Sequence, residues 1–142
     1  MIYIEIKYEN GVEPIKAAHE GEWIDLRAAE DVEIKAGEFK KISLGVAMKL
    51  PAGIEAYILP RSSTFERWGI IMANGMGVID NLYCGNDDIW TFPAIALRDT
   101  HIFKNDRICQ FRIVGQQGRI FFKRVASLSD QNRGGYGSSG YR

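Results

Sequence analysis

An all-β fold, a jelly-roll-like barrel or sandwich, is what this chain predicts, and three observations predict it. Apolar and polar residues alternate over short runs, as they do where one face of a strand is buried. Turn-forming residues separate those runs at close intervals. Only one segment breaks the alternation, and it is long enough for no more than a short helix.

The first strand is read from Ile2, Ile4, Ile6 and Tyr8 on one face, with Tyr3, Glu5 and Lys7 on the other. Further strands are expected at Trp23 to Leu26, Val32 to Ile34, Phe39 to Met48, Ile54 to Leu59, Ile89 to Leu97, Ile108 to Val114 and Ile120 to Val125. Turns are expected at Asn10-Gly11, Ala36-Gly37, Pro51-Ala52-Gly53, Asn74-Gly75 and Lys104-Asn105-Asp106, where Gly and Asn supply backbone conformations that other residues resist. Many short strands with frequent turns fit sandwiches and jelly rolls. After Pro60-Arg61, the stretch Ser62 to Trp68 reads as the short helix. Ser63 followed three residues later by Glu66 is a capping-box pattern, and Gly69 makes a C-terminal stop.

The chain of 142 residues supports one domain with a real core, spanning residues 1–142. From about Ser127 the composition shifts to polar residues and then to glycine, so residues 127–142 read as a flexible C-terminal arm. Eighteen basic residues balance eighteen acidic ones, which argues against stable nucleic-acid binding. No apolar run has membrane-spanning length and the N-terminus lacks a signal-peptide pattern, so a cytoplasmic protein with no membrane partner is expected. Cys84 and Cys109 form no CxxC pair, and neither His19 nor His101 stands at ligand spacing from them, so no zinc site is expected. Cys109 reads as a small buried hydrophobe and Cys84 lies in a turn.

Five segments carry possible chemistry. Arg61, Ser62 and Ser63 at a helix start read either as an anion site or as ordinary capping. The stretch Asn74 to Gly85, with glycines at 75, 77 and 85, suggests a tight hairpin whose exposed backbone can read a base edge. Within it, Asp80 is either a carboxylate held rigidly in a pocket or the start of an Asx turn. Asn105-Asp106-Arg107-Ile108-Cys109-Gln110-Phe111 offers a turn-closing Asp106–Arg107 ion pair and a polar Gln110. Trp23 to Ala29 places Asp25 on a short strand. The tail from Arg133 to Arg142 combines convergent glycine amides, a guanidinium, serine hydroxyls and the flat face of Tyr136. Its other reading is a frayed polar terminus.

Taken in order, IDLRAA, PRSSTFERWGI, NGMGVIDNLYCG, NDRICQF and RGGYGSSG resemble the five motifs of the trimeric dUTPase family, and they run from Asp25 to Gly140. The resemblance implies a jelly-roll-like subunit in a homotrimer with shared active sites, where the arm closes over a neighbour's nucleotide. It implies hydrolysis of dUTP to dUMP and pyrophosphate with Mg²⁺, which limits uracil incorporation into DNA and supplies dUMP for thymidylate synthesis. By that resemblance Asp80 is the base that activates water on the α-phosphorus, and Tyr83 packs on deoxyribose. Asn74, Gly77, Val78 and Ile79 read uracil. Asp25 and Gln110 hold Mg²⁺ through water, with Gln110 also near the phosphates. Arg61, Ser62 and Ser63 contact phosphate, Ser62 nearest the scissile bridge. Arg133, Tyr136, Ser138 and Ser139 form the arm that covers the base and grips the terminal phosphates.

Where the family usually has Phe, Ser-Thr, a basic residue and Gly, this chain has Tyr136, Ser138-Ser139, Cys84 and Asn105. None of these changes removes a proposed catalytic group. A dCTP deaminase on the same fold needs a glutamate on the strand after the hairpin, and Thr91 to Leu97 contains no ionisable side chain. A non-catalytic nucleotide-sensing or protein-binding regulator is the remaining alternative, and retention of Asp80, Tyr83, Arg133 and the serine pair speaks against it.

Overall fold

The computed structural model describes residues 1–9, 11–16 and 23–142. In chain order the elements are β1 (Glu5–Tyr8), β2 (Ile24–Arg27), β3 (Val32–Ile34), β4 (Phe39–Ser43), β5 (Val46–Lys49), β6 (Ile54–Pro60), α1 (Thr64–Trp68), β7 (Ile70–Met72), β8 (Gly77–Ile79), β9 (Thr91–Ala96), β10 (Thr100–Ile102) and β11 (Arg107–Gly115). Two sheets dominate, ordered β2-β11-β6-β8 and β4-β9-β7, and the pairs β1-β5 and β3-β10 supplement them. Their pairings are antiparallel. Residues described here include no helix long and apolar enough to cross a membrane.

The alternation explains the core. On β9, Phe92, Ala94 and Ala96 are fully buried while Thr91, Pro93 and Ile95 between them are not. On β6, Ala56 and Ile58 turn inward, and Phe111 of β11 meets Trp90 edge-on with ring centroids 5.3 Å apart. Inner faces of both main sheets thus share one core, and the outer faces are left to bind. Ile4, Ile6 and Tyr8 pack against that core, as the first alternation requires.

Three expectations are corrected. The run Phe39 to Met48 is two strands, because Gly45 at φ 66° breaks it in a conformation that glycine adopts freely. The stretch Asn74 to Gly85 is not a hairpin: it holds the single strand β8, which pairs with β6, while β7 before it pairs with β9, so the Asn74-Gly75 turn carries the chain from one sheet to the other. Ile120 to Val125 forms no strand. Phe121 and Phe122 are 87% and 94% exposed there, and the segment pairs with no described strand of its own chain.

The remaining turns and the helix stop follow the sequence. Gly37, Gly53, Gly75 and Asn105 all have positive φ. Gly11 does too, although Asn10, its expected partner, lies outside the described residues, as does His19. α1 ends at Gly69 with φ 63°, but its start differs: the Ser63 side chain makes no capping bond. Thr64 acts instead. Its buried hydroxyl accepts the Arg61 amide at 2.8 Å and donates to the Ile108 carbonyl at 2.8 Å, so it satisfies two otherwise orphaned backbone groups.

Candidate functional site

β8 is an edge strand, so one side of its backbone keeps unpaired N–H and C=O groups. Gly77 lets it approach β6, because a Cβ there would stand 2.9 Å from the Ile58 side chain. Just past β8, Asp80 opens a turn in which its Oδ1 accepts the amides of Leu82 at 2.7 Å and Tyr83 at 3.2 Å. The Tyr83 hydroxyl donates to the Ile89 carbonyl at 3.3 Å. Both readings of Asp80 therefore hold at once: the Asx turn is what fixes the carboxylate. Its Oδ2 has no hydrogen-bond partner among the described residues. Asn74, Gly77, Val78, Ile79, Asp80 and Tyr83 line one cleft of about 280 Å³.

Sequence reasoning missed the rest of that cleft. Ile58, Ile89, Trp90, Thr91 and Pro93 complete its walls. Thr91 and Pro93 alternate with the buried Phe92, so they were identifiable as the open face of a strand but not as neighbours of Asp80.

A second group gathers around Asp25. Asp25 on β2 lies opposite Gln110 on β11. The Asp25 Oδ1 pairs with Arg61 Nε at 3.1 Å and its Oδ2 with Arg107 Nη1 at 3.1 Å. Gln110 Nε2 donates to the Pro60 carbonyl at 3.1 Å, which leaves its Oε1 without a partner among the described residues. Arg107 does not pair with Asp106 as its sequence position suggests. Asp106 instead accepts the Phe103 amide at 2.9 Å and closes the turn. Ser62 beside Arg61 is exposed and Ser63 half-buried. Cys109, behind this cluster, is buried as expected, and that burial together with the nearby Asp25 charge pushes its thiol pKa up.

The two groups stand apart within one chain. Register pairs Ile79 with Ala56, so Asp80, the next residue, stands about six positions from Arg61, which follows the last residue of β6. At ~3.3 Å per residue that separates Arg61 from Asp80 by about 20 Å. The arm joins neither. Arg133, Tyr136, Ser138 and Ser139 are exposed, and the hydrogen bonds of this segment run within it, as from the Tyr141 hydroxyl to the Tyr136 carbonyl at 3.2 Å.

With this geometry in place, the chain was compared with known proteins. A family model described as dUTPase matches residues 16–140. The SPbeta prophage-derived deoxyuridine 5'-triphosphate nucleotidohydrolase YosS of Bacillus subtilis is 54% identical over 138 residues, 96% of this chain and 97% of that protein. A dUTPase variant of Staphylococcus bacteriophage 80alpha, solved with dUpNHpp, superposes with a TM-score of 0.79 at 19% identity, over 98% of this chain and 99% of that one. A dUTPase variant of phage phi11 of S. aureus, described with a coordinated structural Mg(II) ion, gives a TM-score of 0.76 at 16% identity, over 89% of this chain and 98% of that one.

Proposed function

The chain belongs to the dUTPase family and is a dUTP diphosphatase that hydrolyses dUTP to dUMP; from that premise we propose that Asp80 is the base and that two copies build each site. The observation that carries the first part is the pinned carboxylate. Two amides occupy Oδ1 of Asp80, and Oδ2, with no hydrogen-bond donor among the described residues, is left to accept a proton from water. Attack of that water on the α-phosphorus expels pyrophosphate and leaves dUMP. Tyr83, held by the same turn, packs on the deoxyribose, and the free edge of β8 with Asn74 reads uracil through backbone and amide groups.

Arg61 and Ser62 supply phosphate contacts, assisted by Ser63 and Gln110. About 20 Å between Arg61 and Asp80 exceeds what one α-phosphate can bridge, which supports a site completed by a second copy, in a homotrimer. The exposed arm of residues 127–142, with Arg133, Tyr136, Ser138 and Ser139, then closes over a neighbour's nucleotide. A dUTP substrate is compatible with the cytoplasmic location expected from the sequence.

The residues also fit a hydrated Mg²⁺. Gln110 Oε1 is free, and each Asp25 oxygen keeps a lone pair beyond its arginine, so both side chains can accept from metal-bound waters. Among the described residues no cluster of carboxylate, histidine and cysteine ligands exists, and an ion held mainly by phosphates and water needs few direct protein ligands. When bound, the ion neutralises charge that develops on the phosphate oxygens. Hydrolysis in water labelled with heavy oxygen tests the reaction: the label is expected in dUMP, and label in pyrophosphate would move the attack to the β-phosphorus.

A further inference from the structure

Strand β11 carries an irregularity whose consequence reaches Arg61. Its register against β2 shifts between Arg107 and Cys109, so Ile108 is the extra residue of a bulge. Ile108 and Cys109 are consequently both fully buried, although they are consecutive. The bulge reverses the alternation beyond it and brings Arg107 onto the face that carries Gln110 and Asp25. The Ile108 carbonyl accepts the buried Thr64 hydroxyl, and Thr64 in turn accepts the Arg61 amide.

Arg107 closes a ring with Arg61. The Arg107 guanidinium takes one oxygen of Asp25, Arg61 Nε takes the other, and Arg61 Nη1 donates to the Arg107 carbonyl at 2.9 Å. Two of the five N–H donors of Arg61 are thereby committed, which fixes the plane of its guanidinium and leaves three for a ligand. Arg107 itself remains half exposed, its side chain 53% accessible. Without Arg107, Asp25 would keep one partner and could swing with Arg61 among several rotamers.

We propose that Arg107 is a positioning residue, re-aimed by the bulge to hold Asp25 and through it the phosphate-contacting guanidinium of Arg61. This rests on the reading of Arg61 given above. The test is a double-mutant cycle of Arg61→Ala, Arg107→Ala and the combined variant in the full-length protein, read as kcat/KM for dUTP and as affinity for dUpNHpp and for deoxyuridine. Arg61→Ala is expected to lower kcat/KM by roughly 100-fold and Arg107→Ala by roughly 10-fold, while the combined variant loses no more than Arg61→Ala alone.

Deoxyuridine affinity, which needs no phosphate contact, is expected to stay unchanged in all three. Arg107→Lys, which keeps the charge beside Asp25, is expected to recover part of the loss. If Arg61→Ala leaves dUpNHpp affinity unchanged, the phosphate role of Arg61 fails and this proposal fails with it. If Arg61→Ala weakens dUpNHpp but the two losses multiply, or if Arg107→Ala weakens deoxyuridine equally, the positioning role alone is overturned.

Discussion

The main-chain amide of Tyr83 donates to Oδ1 of Asp80 over 3.2 Å, so one turn sets both the Tyr83 ring and the carboxylate. The same ring is tied at its far end to the Ile89 carbonyl. If Tyr83 packs on the sugar as proposed, a residue anchored at both its backbone and its hydroxyl would resist an added 2′-hydroxyl.

Replacing that ring is therefore expected to relax sugar selectivity. Tyr83→Ala should reduce the preference for dUTP over UTP by about 10-fold or more, since the steric and packing difference between the two sugars is worth a few kcal/mol at most. Parallel pyrophosphate-release assays check this. An unchanged ratio would remove Tyr83 from sugar discrimination.

Gly77 is fixed by space. A methyl group there meets the Ile58 side chain at 2.9 Å, and Ile58 is buried in the core. Gly77→Ala is expected to cost about 1–3 kcal/mol of stability by overpacking and to push β8 away from β6. Thermal denaturation should show the lower midpoint, and uridine-nucleotide affinity should fall with it.

The arm is exposed along its length, and the hydrogen bonds of its backbone run within it. Truncation after Ser129 is expected to leave the thermal midpoint within about 1 °C, because exposed termini contribute little to stability, while turnover of dUTP collapses. Mixing this truncated chain with Asp80→Asn under conditions that exchange subunits should restore activity neither protein has alone. Each copy would then lend the part the other lacks. No recovery after verified exchange would contradict a site shared between copies.

How far the sequence reached depended on the range of the interaction. Strand faces such as Phe92, Ala94 and Ala96 were legible because burial alternates locally. The positive-φ turns at Gly37, Gly53 and Asn105 were legible for the same reason. Pairing partners were not: Asn74 to Gly85 reads as a hairpin, but its one strand, β8, is claimed by β6, about 20 residues earlier in the chain. The capping box at Ser63 lost to Thr64 because a carbonyl freed by a bulge 44 residues away takes the Thr64 hydroxyl. Ile120 to Val125 has a strand's pattern and no partner in its own chain, so pattern alone misplaced it. Asp25 and Gln110 were read as a pair only through resemblance, whereas the structure brings them opposite each other across β2 and β11. Arg107 was hidden for a related reason, since a bulge changes which face a residue occupies without changing its spacing.

The central claim is that the Asp80 carboxylate activates water. Its most direct test is Asp80→Asn, assayed for pyrophosphate release from dUTP beside dUpNHpp binding. The amide keeps a carbonyl oxygen for the Leu82 and Tyr83 amides, so the turn and the cleft are expected to survive. Affinity should then stay within about threefold while kcat falls by roughly 100-fold or more, as the loss of a general base requires. Turnover equal to that of the unaltered protein would contradict the account.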